Sequence, residues 1–78
     1  MPVYFLHVQD GDQLILDPDG SSLHDLEAAR AEAIESAREL MADSIVSDGR
    51  VGIERSIEVW DAVGARLLVV PFHQAVAL

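Results

Sequence analysis

Residues 25–44 read DLEAARAEAIESARELMADS, and this stretch decides the fold. Leu26, Ala29, Ala33, Ala37, Leu40 and Met41 recur at steps of three and four, with Ile45 next in register. That is the period of one helix face. Glu27, Arg30, Glu32, Glu35, Arg38, Glu39 and Asp43 fall largely away from it. No Pro or Gly interrupts the run, and alanine has the highest helix propensity of all residues. The spacing predicts a helix over 26–44. Two N-caps compete for its start. Ser22 with Asp25 three residues on is a weak capping-box match, whereas Asp25 by itself leaves Glu27 in the first turn. Asp25 is preferred because Leu26 opens the apolar stripe. Alanines let a helix lie close to a sheet, so the stretch implies one amphipathic helix packed on one sheet face.

Strand signals flank the helix on both sides. Residues 3–9 alternate, with Tyr4, Leu6 and Val8 pointing one way and Val3, Phe5 and His7 the other. Asp10-Gly11-Asp12 is a turn, and residues 13–17 form a second short strand around Leu14-Ile15-Leu16. Asp17-Pro18-Asp19-Gly20 is a further turn, after which Ser21 and Ser22 lead into the helix. Beyond the helix, residues 47–52 read as a polar loop. Residues 55–60 alternate, with Ile57 and Val59 opposed to Ser56, Glu58 and Trp60. Asp61-Ala62-Val63-Gly64 turns the chain into a last strand over 66–72, and residues 73–78 form a tail. The expected fold is α+β, ββαββ: a four-stranded, mainly antiparallel sheet with one helix on one face, in a single domain over 1–78.

The last strand does not alternate. Leu67-Leu68-Val69-Val70 is apolar on both sides, and such a strand calls for burial on both sides. This argues for a central place in the sheet, while the short second strand suits an edge. One helix covers only one face. The second face is expected to carry Leu68 and Val70, or alternatively Leu67 and Val69, with Phe5, Ile15 and Trp60 able to join them. An apolar patch of this kind marks an interaction surface. The candidate surface is Phe5, Trp60, Leu68 and Val70, covered by a second copy with two-fold symmetry. The competing expectation folds the 47–54 loop and the C-terminal tail over it.

Composition narrows the function further. The chain of 78 residues has 14 acidic residues against five arginines and no lysine, a formal net charge of −9. Nucleic-acid phosphate surfaces need clustered Lys or Arg, so none is expected. The charge chiefly aids solubility and can also steer a basic partner. With no cysteine there is neither a disulfide framework nor a thiolate metal site. No run approaches the length of a membrane-spanning helix, and no basic segment precedes an apolar one at the start. A cytoplasmic protein without a membrane partner is expected.

Catalytic motifs are weak. Asp10, Asp12, Asp17 and Asp19 suggest a hard-cation site by their spacing, but Asp is also a favoured turn residue, and the two turns lie at opposite ends of one strand. His7, His24 and His73 bind a transition metal only if the fold gathers them. There is no Gly-x-Ser-x-Gly elbow and no phosphate-binding glycine loop. Glu54, Glu58 and Asp61 are candidates for an acid/base pair, with nothing to force them into a cleft. No cofactor and no enzymatic role are expected. Trp60, the one tryptophan, is the residue to watch, because tryptophan is enriched at binding hot spots.

The opening Met1-Pro2-Val3-Tyr4-Phe5-Leu6-His7-Val8-Gln9-Asp10-Gly11 resembles that of a family of short uncharacterised proteins of rhizobial and related alphaproteobacteria. The resemblance continues through Asp17-Pro18-Asp19-Gly20, Asp25-Leu26-Glu27-Ala28-Ala29-Arg30, Ile57-Glu58-Val59 and Val70-Pro71-Phe72. Val3 stands where a basic residue is common, and Ala62-Val63 makes a usually more polar turn less so. As a domain of unknown function, the family implies a single cytoplasmic domain and carries over no catalytic residues. The function expected is a non-catalytic protein-interaction module that self-associates through its sheet. The alternatives are an antitoxin-like or regulatory protein that binds a basic partner, and a metal-dependent activity at the first hairpin.

Overall fold

The computed structural model describes residues 1–76. The last two residues of the 73–78 tail lie outside them. The chain runs through β1 (Val3–Asp10), β2 (Gln13–Ile15), β3 (Ser21–Ser22), α1 (Leu26–Asp48), β4 (Ser56–Asp61) and β5 (Arg66–Pro71). A 3₁₀ turn at Phe72–Ala75 follows. The sheet has the order β2-β1-β4-β5, with β3 beside β2 on the outer edge of β1, and every pairing is antiparallel. The α+β architecture is as expected, but the sheet has five strands rather than four. Ser21 and Ser22 pair with Tyr4 and Val3 instead of simply leading into the helix. The Pro18–Gly20 turn returns the chain to the unpaired edge of β1, and Leu23 extends the contact by donating its N–H to the Pro2 carbonyl at 3.0 Å.

Gly11, at φ 62°, is the first of two residues in the β1–β2 turn, and Asp12 has a negative φ. This pattern suits a type II′ turn, whose twist matches that of the flanking strands. Asp25 caps α1 by accepting the Ala28 N–H at 2.8 Å, as the stripe predicts. The helix runs one turn past residue 44, through a stretch that reads as loop because of its serines. Those residues cost a helix only about 0.5 kcal/mol each relative to alanine. The stop is Gly49, which donates its N–H to the Ile45 carbonyl at 3.1 Å.

The register lines up Leu6, Val59 and Leu68 across the sheet, and likewise Val8, Ile57 and Val70. These side chains and Tyr4 share the face under α1. From above, Ala29, Ala33, Ala37 and Met41 make one buried row at i, i+4 spacing. Leu26 and Ile45, at the ends of the predicted stripe, are substantially exposed. The helix there runs beyond the buried row.

The 3₁₀ turn closes the helix side of the core. Phe72 and Ala75 are fully buried, the Phe72 N–H donates to the Arg55 carbonyl at 2.9 Å, and Arg38 Nε donates to the Ala75 carbonyl at 2.6 Å. Arg55 ties this region together. Its Nη2 donates to Ser44 Oγ at 2.7 Å, and its guanidinium lies 4.8 Å from the Phe72 ring centre. The described part of the tail is therefore folded against the helix and not over the second sheet face. No helix among the described residues is long and apolar enough to cross a membrane.

Candidate interaction face

Alternation along β1 and β4 places Phe5, His7, Glu58 and Trp60 on the face opposite the helix. Phe5 is directly across from Trp60, and His7 is across from Glu58. The rings form a row: Phe5 and His7 are stacked with centroids 6.2 Å apart, and His7 and Trp60 are tilted at 5.7 Å. All three rings are half-buried, each shielding the next. Glu58 is the one buried charged residue of the described chain. Trp60 Nε1 donates to its Oε1 at 2.9 Å, and Arg66 stands 3.6 Å from its Oε2. Arg66 is more than half exposed, so the ion pair itself contributes little. The indole bond holds the carboxylate against the sheet.

The loop after β2 fixes one end of this row. The Asp17 carboxylate accepts N–H groups from Leu6 at 3.2 Å, Asp19 at 3.1 Å and Gly20 at 3.2 Å. The Asp17 N–H in turn donates to His7 Nδ1 at 2.9 Å. Gly20, at φ 70°, sits against Phe5: a Cβ there would lie 2.9 Å from the ring and from Val3. Only glycine allows both that φ and that approach. Asp17 thus bridges the gap between β2 and β3 and sets the aromatic row in place.

Burial raises the Asp17 carboxyl, but the three backbone N–H bonds together outweigh it and hold the group below its ordinary value. A carboxyl depressed in the folded state stabilises that state above the unfolded value and loses the effect as pH falls through the folded one. Asp17→Asn is therefore expected to be less stable than the parent at neutral pH. The gap between the two should shrink as pH falls below about 4. Urea unfolding of both proteins over a pH series measures this. A gap independent of pH would show that the carboxylate charge does not hold the loop.

The structure brings two of the four candidate surface residues together, Phe5 and Trp60. Leu68 and Val70 lie on the helix face instead, because Leu68 pairs with Val59 and Val70 with Ile57. Val70 is 2% exposed. Of the alternative pair, Val69 faces the open side opposite Glu58. Leu67 is the extra residue of a bulge, since Val59 pairs with Leu68 and Trp60 with Arg66. The polar part of the face, His7 with Asp17 and Glu58 with Trp60, is absent from the predicted surface. The alternation of residues 3–9 and 55–60 already holds the signal for it.

Of the other candidates, Asp61 serves local structure. Asp61 Oδ1 accepts the Val63 and Ala65 N–H groups at 3.0 and 2.9 Å and organises the β4–β5 turn. His24 and His73 are exposed and Glu54 stands outside the face. Among the described residues no three His, Cys, Asp or Glu side chains are grouped to hold a metal ion.

A five-stranded antiparallel sheet with one long helix on one face and an aromatic row on the other defines a small two-layer α+β domain. The chain belongs to the family described as Domain of unknown function (DUF6894), whose model matches residues 3–73. That span runs from β1 into the 3₁₀ turn. No curated protein and no solved structure matches the chain.

Proposed function

We propose that this chain is a non-catalytic protein-interaction module that self-associates through its sheet. The observation that carries the reading is the aromatic row on the sheet face that the helix leaves uncovered. The open side of the sheet holds Phe5, Trp60 and Val69, and its interior charge, Glu58, is already paired. The acidic residues Glu27, Glu32, Glu35, Glu39, Asp43 and Asp48 all lie on α1, exposed and on the far side. A surface of that kind favours contact through the sheet and keeps the helices in water.

Salt separates this reading from capture of a basic partner. Two chains of net charge −9 repel each other, so apolar self-association tightens as salt screens the repulsion. Binding of a basic partner weakens under the same change. Sedimentation of tag-free protein over a wide concentration range, at low and high salt, is expected to show a dimer favoured by salt. A single-chain mass at high micromolar concentration in both buffers would overturn the proposal.

A further inference from the structure

The two outer edges of the sheet are finished differently. Along β1, β2 pairs with Val8–Asp10 and β3 with Val3 and Tyr4. Between them the Asp17 carboxylate takes the Leu6 N–H. On the opposite side β5 pairs with β4 alone, and no described residue hydrogen-bonds its outer edge. Phe72 turns the chain back toward Arg55 and the helix, away from that edge.

Open edges are ordinarily guarded by charge, proline or a bulge, because their free N–H and C=O groups are a template for another strand. In β5 the charge, Arg66, the bulge at Leu67 and the proline, Pro71, sit at or near the two ends. Leu68, Val69 and Val70 between them carry no guard. Leu67 is 39% exposed and Val69 42%. The pattern of β5, apolar on both sides, is that of a central strand, yet the single chain leaves it at an edge. One more strand on its outer side would make it central.

We infer that this strand is β5 of a second copy, paired antiparallel about a two-fold axis perpendicular to the sheet. The inference rests on the self-association proposed above and names the contact. Such an axis keeps both helices on one side of a continuous sheet and both aromatic rows on the other. It sets Leu68 against its own copy and Leu67 against the second copy's Val69, so that apolar side chains meet apolar ones. Arg66 is the one charged residue of β5 and lies at its end beyond the bulge, so no like charges oppose each other across the pair.

The test combines sedimentation with amide hydrogen exchange on wild type, Leu67→Lys and Trp60→Ala. A wild-type dimer is expected in which the β5 amides pointing away from β4 become protected as concentration rises. Leu67→Lys should weaken the dimer at least about tenfold, or ~1.4 kcal/mol, and Trp60→Ala should leave it intact. If wild type dimerises while those amides exchange fast at every concentration, and Trp60→Ala separates the copies, the edge contact is overturned and self-association stands through the aromatic face. A monomer throughout removes both. The exchange arm uses wild-type protein, so a folding defect in either variant does not blunt it.

Discussion

Phe72→Ala is expected to cost ~3–5 kcal/mol, the range for removing a fully buried aromatic side chain. Phe72 has no exposed surface and packs where the 3₁₀ turn meets α1. Its ring also supports the Arg55 guanidinium, whose hydrogen bonds reach Ser44, Val51 and Gly52. Truncation therefore leaves a cavity and loosens the segment between α1 and β4 together. Domains of this size lie toward the low end of the ~5–15 kcal/mol typical of folded proteins. The variant should then lose most of its stability. Urea unfolding followed by circular dichroism measures the loss. A cost under ~1 kcal/mol would mean that the tail collapses to fill the site and that the 3₁₀ turn is dispensable to the core.

Ala33→Leu is expected to be the second most damaging change tested, at ~1–3 kcal/mol or more. Ala33 lies in the middle of the buried row and is fully enclosed. The helix comes near β4 because its own side contributes nothing larger than a methyl group there, above Ile57 and Val59. A leucine must lift α1, which exposes Ile57 and Val59 beneath it, or take a strained rotamer. Ala42→Leu, at an exposed position of the same helix, is the control and should fall within about 0.5 kcal/mol of the parent. Equal effects at the two positions would contradict the close helix–sheet contact.

The aromatic face and the β5 edge bear on the proposed self-association in different ways. Asp17 and Gly20 fix Phe5 and His7, and Glu58 fixes Trp60, so the face is preorganised by backbone and half-buried hydrogen bonds. Little side-chain freedom is left for a partner to freeze, which lowers the entropic cost of docking. In the proposed pairing the edge would offer main-chain groups, which give affinity with little side-chain selectivity except through Leu67 and Val69.

Local sequence determined what depends on neighbours along the chain. The Ala29-Ala33-Ala37-Met41 spacing set the buried side of α1, because residues four apart stack on one helix face. Asp25 set its start, and Gly11 and Gly64 marked the two hairpin turns. Alternation in β1 and β4 sorted Phe5 and Trp60 from Leu6 and Val59, because the strand period is two. Tertiary structure decided what depends on partners distant in sequence. A strand apolar on both sides has no period, so Leu68 and Val70 were assigned to the helix face only by their pairing with Val59 and Ile57. Ser21 and Ser22 became a strand because the edge of β1 was free to take them. Asp17, a turn residue by sequence, joined the Leu6 backbone and His7 only once the chain had folded back across β1. The place of β5 at an edge was likewise outside the reach of its own residues. Hydrophobicity specifies that a strand be covered, and only the path of the whole chain decides whether the cover comes from within it.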